Sequence, residues 1–397
     1  MQGGRCGKNL TWRLDDNGTL TISGTGKMDD YFYDGRYSPW YAVSKSIKTI
    51  IIVADGMKTI GENAFCGCDN VTSVKIPVGV EKIGEKAFFG CYSLTNVEIP
   101  ASVKKIGDSA FRYCEDLTSV TISDGVEEIG GSAFGNCSKL TSVTIPESVK
   151  IISEHAFIGC KSLTSVKIPN GGVTEINFGV FSHCDSLTSI KIPVGVKNIG
   201  DFAFSACENL TNVEIPVGVT KIGYWAFGNC YKLTSITLPD GVEDIGNWVF
   251  DECDSLTSVK IPDSVKNIGG LAFYSCYRLT NVKIPVGVKE IDSYTFKWCR
   301  SLTNIEIPAT VKEIGEEAFS GCENLSSVTI SDGVEKICKY TFLKCTGLTE
   351  IKIPTSVIEV GSGAFYGCTS LKKIFYSASA DYDWELSAGN DAELIPY

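Results

Sequence analysis

Histidine and methionine are scarce in this chain, at two and three residues among 397. The two histidines, His155 and His183, stand at different offsets in neighbouring stretches of similar sequence, on what reads as an exposed turn. Nothing there marks an activated nucleophile or a hydrolytic triad. Clustered basic residues are also missing. Lys plus Arg number 36 against 47 Asp plus Glu, for a net charge of −11. Phosphate recognition needs Lys and Arg gathered on one face, so nucleic acid is excluded as a partner. No apolar run reaches the ~18 residues of a membrane span, so no membrane insertion is expected. The start, Met1-Gln2-Gly3-Gly4, carries neither the charged nor the apolar part of a signal peptide, and no anchor motif is present. An exported protein of this sequence is therefore expected to have lost those segments. Disorder is excluded by the 43% hydrophobic content.

Cysteine, by contrast, is plentiful, with 17 residues and an odd count. Zinc knuckles of the C-x2-C type are absent, and Cys66-Gly67-Cys68 is C-x-C. Fourteen of the cysteines follow a phenylalanine by three residues, from Phe65/Cys68 to Phe365/Cys368, in twelve steps of 23 residues and one of 24. The long step is an inserted residue within Pro169-Asn170-Gly171-Gly172-Val173. At roughly 150 residues per domain the length alone would suggest two or three globular domains, but so regular a period signals a solenoid instead.

Each copy reads L-T-x-V-x-I-P-x-x-V-x-x-I-G-x-x-A-F-x-x-C-x-x. Leu117 to Ile122 alternates apolar and polar residues, the period of a strand, and a proline follows in most copies where the chain would leave the sheet. Val126 and Ile129 suggest a second inward stretch. Gly130 turns the chain, and Ala133, Phe134 and Cys137 fit a single helical or 3-10 turn. One coil cannot bury its own apolar face, so stacked coils must share a core. Phe134, Cys137, Phe157, Cys160, Phe227 and Cys230 are expected in that core, the cysteines as a ladder of buried free thiols acting as small hydrophobes. A disulfide among the remaining Cys6, Cys66 and Cys338 stays open. On the outward strand position, Lys-Lys-Glu-Thr recurs every four coils from Lys167 onward, and Ile192-Pro193-Val194-Gly195-Val196 returns as Ile284-Pro285-Val286-Gly287-Val288, 92 residues later. A four-coil block has been duplicated.

The ends differ. Leu10-Thr11-Trp12-Arg13-Leu14 and Thr19-Leu20-Thr21-Ile22 flank Asp15-Asp16-Asn17-Gly18, a hairpin signal rather than a calcium loop. Residues 374–397 carry Phe375, Tyr376, Trp384 and an acidic tail. The reading is a β-hairpin-containing N-terminal cap over 1–47, a solenoid over 48–373 and a C-terminal cap over 374–397.

The repeat resembles the BspA-like, or Treponema-type, leucine-rich repeat. Cys6-Gly7-Lys8-Asn9-Leu10-Thr11-Trp12, Ile22-Ser23-Gly24-Thr25-Gly26-Lys27-Met28 and Pro39-Trp40 resemble the N-terminal module that often precedes such arrays in gut bacteria. Asp383-Trp384 and Gly389-Asn390-Asp391-Ala392 resemble their usual C-terminal cap. The resemblance implies a leucine-rich-repeat solenoid, secreted or displayed at the cell surface of a bacterium, acting in adhesion to host or microbial surface proteins. It implies no cofactor, no metal and no catalytic residue, and it carries no binding residues over to this chain.

Two faces are candidates for contact. The sheet face presents a Ser/Asn row and a Lys/Glu/Thr row, nearly free of aromatics, which suits a solvated surface or weak multivalent contact. A stripe two residues before the repeat Phe is different. It runs Asn63, Lys86, Ser109, Ser132, His155, Gly179, then Phe202, Trp225, Trp248, Leu271 and Tyr294, with Glu317 and Tyr340 after them. Tyr224, Tyr274 and Trp298 lie in the same region, with Tyr231 and Tyr277. Because Val, Ile, Ala, Phe and Cys already occupy the inward positions, these rings are expected to be at least partly exposed. They would form a partner-binding patch or a platform for glycan, or else pack on one another and mediate self-association. The function expected is non-enzymatic adhesion by multivalent contact. The alternatives are a structural spacer that displays other modules and a carbohydrate-binding array.

Overall fold

A computed structural model describes residues 2–32, 35–378, 382 and 392–397. The Asp383-Trp384 and Gly389-Asn390-Asp391 signals fall outside the described residues. The chain divides into two compact units, Met1–Val196 and Lys197–Tyr397.

In the first unit, Gln2–Arg5, Asn9–Leu14 and Thr19–Thr25 form an antiparallel meander with Trp12 opposite Ile22. The hairpin lies where Asp15-Asp16-Asn17-Gly18 is read as a turn. Asp15 Oδ1 accepts from the N–H groups of Thr19 at 2.8 Å and Asn17 at 2.9 Å, and the Thr19 bond foremost holds its carboxyl below the usual range. The strand Gln2–Arg5 has no alternating pattern to announce it. Thr19–Thr25 then pairs in parallel with Thr49–Asp55, which hands the sheet to the first coil strand, Ser73–Lys75. Behind this join Trp40 is fully buried. It stacks on Phe65 at 5.3 Å, and its Nε1 donates to the Ala64 carbonyl at 2.9 Å. Trp12 and Tyr31 meet it edge-on at 5.9 and 6.0 Å. Trp40 thus supplies the aromatic ring that the first Phe of the array would otherwise lack.

Nearly every coil carries two short parallel strands, the outer one being reduced to a single bridge at Asn281. One faces out with alternating burial, as in Ser142–Thr144 paired with Ser165–Lys167. The other is a two-residue strand across the back, as in Glu128–Ile129 paired with Ile151–Ile152. Between them the core is a stack of rings. Phe88, Phe111, Phe134 and Phe157 follow one another at 5.1–5.4 Å with planes within 7°, an offset parallel arrangement. The second unit repeats it, with Phe204, Phe227 and Phe250 at 5.4 and 5.8 Å. The L-T threonines form a hydroxyl ladder: Thr118 Oγ1 donates to the Thr95 carbonyl, Thr141 to Thr118 and Thr164 to Thr141. The glycine after the back strand lets neighbouring backbones touch. A Cβ on Gly107 would sit 2.6 Å from the carbonyl carbon of Gly84.

No disulfide joins any of the 17 cysteines, all of which lie among the described residues, so Cys6, Cys66 and Cys338 form none. The ladder thiols do more than fill space. The Phe134 carbonyl accepts from its own coil's Cys137 N–H at 3.3 Å and from the Cys160 thiol of the next coil at 3.2 Å. Phe227 does the same with Cys230 N–H and Cys253. A carbonyl has two lone pairs, and this ladder uses both.

The expected helical or 3-10 turn around Phe134 is instead a chain of linked turns. Ser132, Phe134 and Asn136 donate their N–H groups across to Glu154, Ala156 and Ile158 of the next coil. The alternate residues Ala133, Gly135 and Cys137 donate back within the coil to Gly130, Ser132 and Phe134. A helix would direct every N–H back along its own chain; here every second one is used to join coils. In the second unit the final coil strand, Glu350–Lys352, pairs with Lys373–Tyr376, which in turn pairs with Glu393–Pro396.

Candidate functional site

The linked turns dictate a backbone conformation that ordinary side chains avoid. The residues two before and two after each repeat Phe have positive φ in every coil, between 51° and 75°. At the later position many coils place glycine or asparagine, as at Gly67, Gly90, Asn136, Gly159, Asn229, Gly321 and Gly367. The earlier position is the stripe. Phe202, Trp225, Trp248, Leu271 and Tyr294 have φ of 56°, 52°, 55°, 57° and 63°, and Trp298, at the later position, 63°. Left-handed backbone costs a non-glycine residue ~1–2 kcal/mol, and bulky residues there are outliers.

Phe202, Tyr224, Trp225, Trp248, Leu271, Tyr274 and Tyr294 are half-buried, and Trp298 is exposed at 37%. The rings fall into two groups. In the first, Tyr224 lies between Phe202 at 5.1 Å, Trp225 at 6.0 Å and Trp248 at 5.2 Å, and Phe202 also meets Trp225 at 5.6 Å. In the second, Tyr274 meets Trp298 at 5.3 Å. The Lys297 ammonium stands 5.1 Å from the Tyr294 ring and 5.3 Å from Trp298, and it pairs with the Glu317 carboxylate. Arg300 covers Tyr277 at 5.1 Å. The structure therefore brings the stripe residues together largely by packing them on one another.

Several large left-handed side chains lie over a glycine. A Cβ on Gly228 would fall 1.3 Å from Cδ1 of Trp225, one on Gly321 would fall 2.3 Å from Cδ1 of Trp298, and one on Gly363 would fall 2.4 Å from Cε1 of Tyr340. His155 lies likewise over Gly179 and packs edge-on against Phe178 at 4.9 Å. It is half-buried rather than on an open turn, because the left-handed backbone lays its ring along the coil surface; His183 is exposed.

Sequence reasoning missed Asp251. It occupies the place of Gly228 one coil on, and it is only 7% exposed. Burial, with the Glu252 charge beside it, pushes its carboxyl up to about 7. Trp225 Nε1, Asn229 Oδ1 and Asp251 Oδ1 are buried without a hydrogen-bond partner among the described residues. The signal was an acidic residue at a position where the preceding coils place Ser205 and Gly228. Among the described residues no group of three or more His, Cys, Asp or Glu is placed to hold a metal ion.

Parallel coils, stacked rings and paired ladders at a 23-residue period define a leucine-rich-repeat protein. More narrowly, the chain belongs to the BspA-type family: the family model described as the BspA type leucine rich repeat region, in 6 copies, matches residues 40–164, 150–280 and 266–382. A leucine-rich repeat protein from Bacteroides ovatus is 32% identical over 98% of both chains, with a TM-score of 0.80. One from Eubacterium ventriosum is 27% identical over 98% of this chain and 99% of that one, with a TM-score of 0.54. None of the curated proteins matches the chain significantly. The family is one of surface proteins used in binding and adhesion. No helix among the described residues is long and apolar enough to cross a membrane.

Proposed function

We propose that the chain is a non-enzymatic binding module of an extracellular or cell-surface protein, meeting a protein on a host or microbial surface through the aromatic rows of its second unit. The observation that carries this reading is the strained backbone beneath Phe202, Trp225, Trp248, Leu271 and Tyr294. Five coils in succession hold a bulky side chain where Asn, Lys, Ser, His or Gly serves in the first six. Strain kept in a folded protein clusters at functional sites, and the half-buried rows with exposed Trp298 leave apolar surface open to a partner. Recurrence of the same chemistry from coil to coil lets weak contacts add through effective concentration.

The mutual packing of the rings favours a second reading, a structural spacer. Retention of labelled protein on host epithelial cells and on co-resident bacteria separates the two. The Trp248→Gly/Trp298→Gly variant suits the left-handed backbone at both sites, so it removes the rings and keeps the fold. Loss of retention in the variant supports the patch, equal retention moves contact elsewhere, and no retention by either protein leaves the spacer.

A further inference from the structure

Along the coils the sheet face has almost no aromatic residues, yet it ends in the second unit against two. Phe375 takes the outward position that Thr329 and Lys352 hold in the preceding coils, pairing with Lys352 on one side and Ile395 on the other. Tyr397 folds back onto the same face. Its N–H donates to the Tyr376 carbonyl at 3.0 Å, its hydroxyl to the Ile353 carbonyl at 2.8 Å, and the Lys352 ammonium stands 4.5 Å from its ring. Between these rings and the strands before them lies a groove of about 680 Å3, within the ~300–1,000 Å3 usual for small-ligand sites. Ser327, Thr349, Glu350 and Lys352 line it with Phe375 and Tyr397.

We propose that this groove binds a neutral oligosaccharide, with sugar rings against Phe375 and Tyr397 and their hydroxyls on Glu350, Lys352, Ser327 and Thr349. The chemistry is of both kinds a pyranose requires. Its C–H face needs an aromatic surface, and its hydroxyls need donors and acceptors placed close together. Glu350 accepts, Lys352 donates, and the serine and threonine hydroxyls do both; bonds to the two charged groups are the stronger ones. Ser327, Glu350 and Lys352 project from sheet strands and Tyr397 is held by three contacts, so little ordering accompanies binding. A flat protein surface would not enter such a groove. The site is separate from the aromatic rows of the proposed function, and either can fail without the other.

Saturation-transfer NMR with maltohexaose, cellohexaose, mannohexaose and xylohexaose tests the proposal on the full chain. Transfer to the ring C–H protons of at least one is expected. Phe375→Ala and Glu350→Gln should each weaken its affinity at least tenfold, while Trp248→Gly/Trp298→Gly leaves it unchanged. Glu350 is exposed, so its variant keeps the fold, as circular dichroism will verify. Absence of transfer from all four sugars overturns the proposal, as does binding that survives Phe375→Ala and Glu350→Gln. Transfer from extended peptides in place of sugars would make the groove a peptide site and equally end it.

Discussion

Trp225 and Gly228 are a single structural decision made at two positions. The indole occupies the space that any side chain at 228 would need, with 1.3 Å from Cδ1 to an added Cβ. Gly228→Ala should therefore expel the ring, lowering stability by about 2 kcal/mol and moving tryptophan emission to the red. Unchanged emission would show that the coil yields instead. Asp251, one coil further, makes stability depend on pH. Below its ordinary value of 3.8 it is protonated whether folded or unfolded and costs nothing. As pH rises from there to about 7, the unfolded carboxyl ionises while the folded one holds its proton, so stability falls; above about 7 the loss is complete. Asp251→Asn should have a higher denaturation midpoint than the parent at pH 8, with the gap closing by pH 4. Parallel profiles for the two proteins would assign the dependence to other groups.

At the scale of the coil, the linked turns explain two features of the repeat. They need left-handed residues on either side of Phe, and they leave the Phe carbonyl a second lone pair that the next cysteine thiol fills. Lys344 has φ of 57° and an exposed side chain at a place where Gly321 and Gly367 serve in the adjacent coils. Lys344→Gly should stabilise the fold by about 1 kcal/mol and so raise the chemical denaturation midpoint, and a lowered midpoint would count against strain there. The thiols should be inert. Burial pushes Cys160 up to about 12 and holds Cys137, Cys230 and Cys253 well above the usual range, and only the thiolate attacks. Titration with a disulfide reagent at pH 8 should leave the ladder cysteines before Cys368, whose thiol is held lower by its hydrogen bond with Cys345, unmodified in the native protein and count 17 after unfolding. Rapid native reaction of many thiols would mean that the coils open.

For the molecule as a whole, stability is a sum of coils and their neighbours' contacts, and the four-coil duplication supplies a natural unit to remove. Deleting residues 77–168 joins Ile76 to Pro169, which stands 92 residues after Pro77 at the same repeat position. The shortened protein should remain folded by circular dichroism and keep any surface retention that depends on Trp248 and Trp298. Retention lost with that block would place the contact in the first unit. The ends permit no such deletion. Trp40 covers the first Phe of the array and is itself backed by Trp12 and Tyr31, and without it an apolar ring stack would face water.

The period, the inward positions and the class of fold were legible in the residues, because a solenoid writes each contact once per coil and repeats it fourteen times. Alternation in Leu117 to Ile122 and the hairpin around Asp15-Asp16-Asn17-Gly18 are local physics, so they could be read without coordinates. The strand Gln2–Arg5 and the linked turns could not, since both depend on hydrogen bonds to distant chain. The candidate site divides the same way. That Phe202, Trp225, Trp248, Leu271 and Tyr294 depart from the repeat is plain from the letters alone. That they sit on left-handed backbone, lie over glycines and mostly cover one another was decided only in three dimensions, where φ is set by bonds to the next coil. Asp251 and the Phe375–Tyr397 groove belong there too, because burial and concavity are properties of neighbours about one coil or more away in sequence, which no local pattern records.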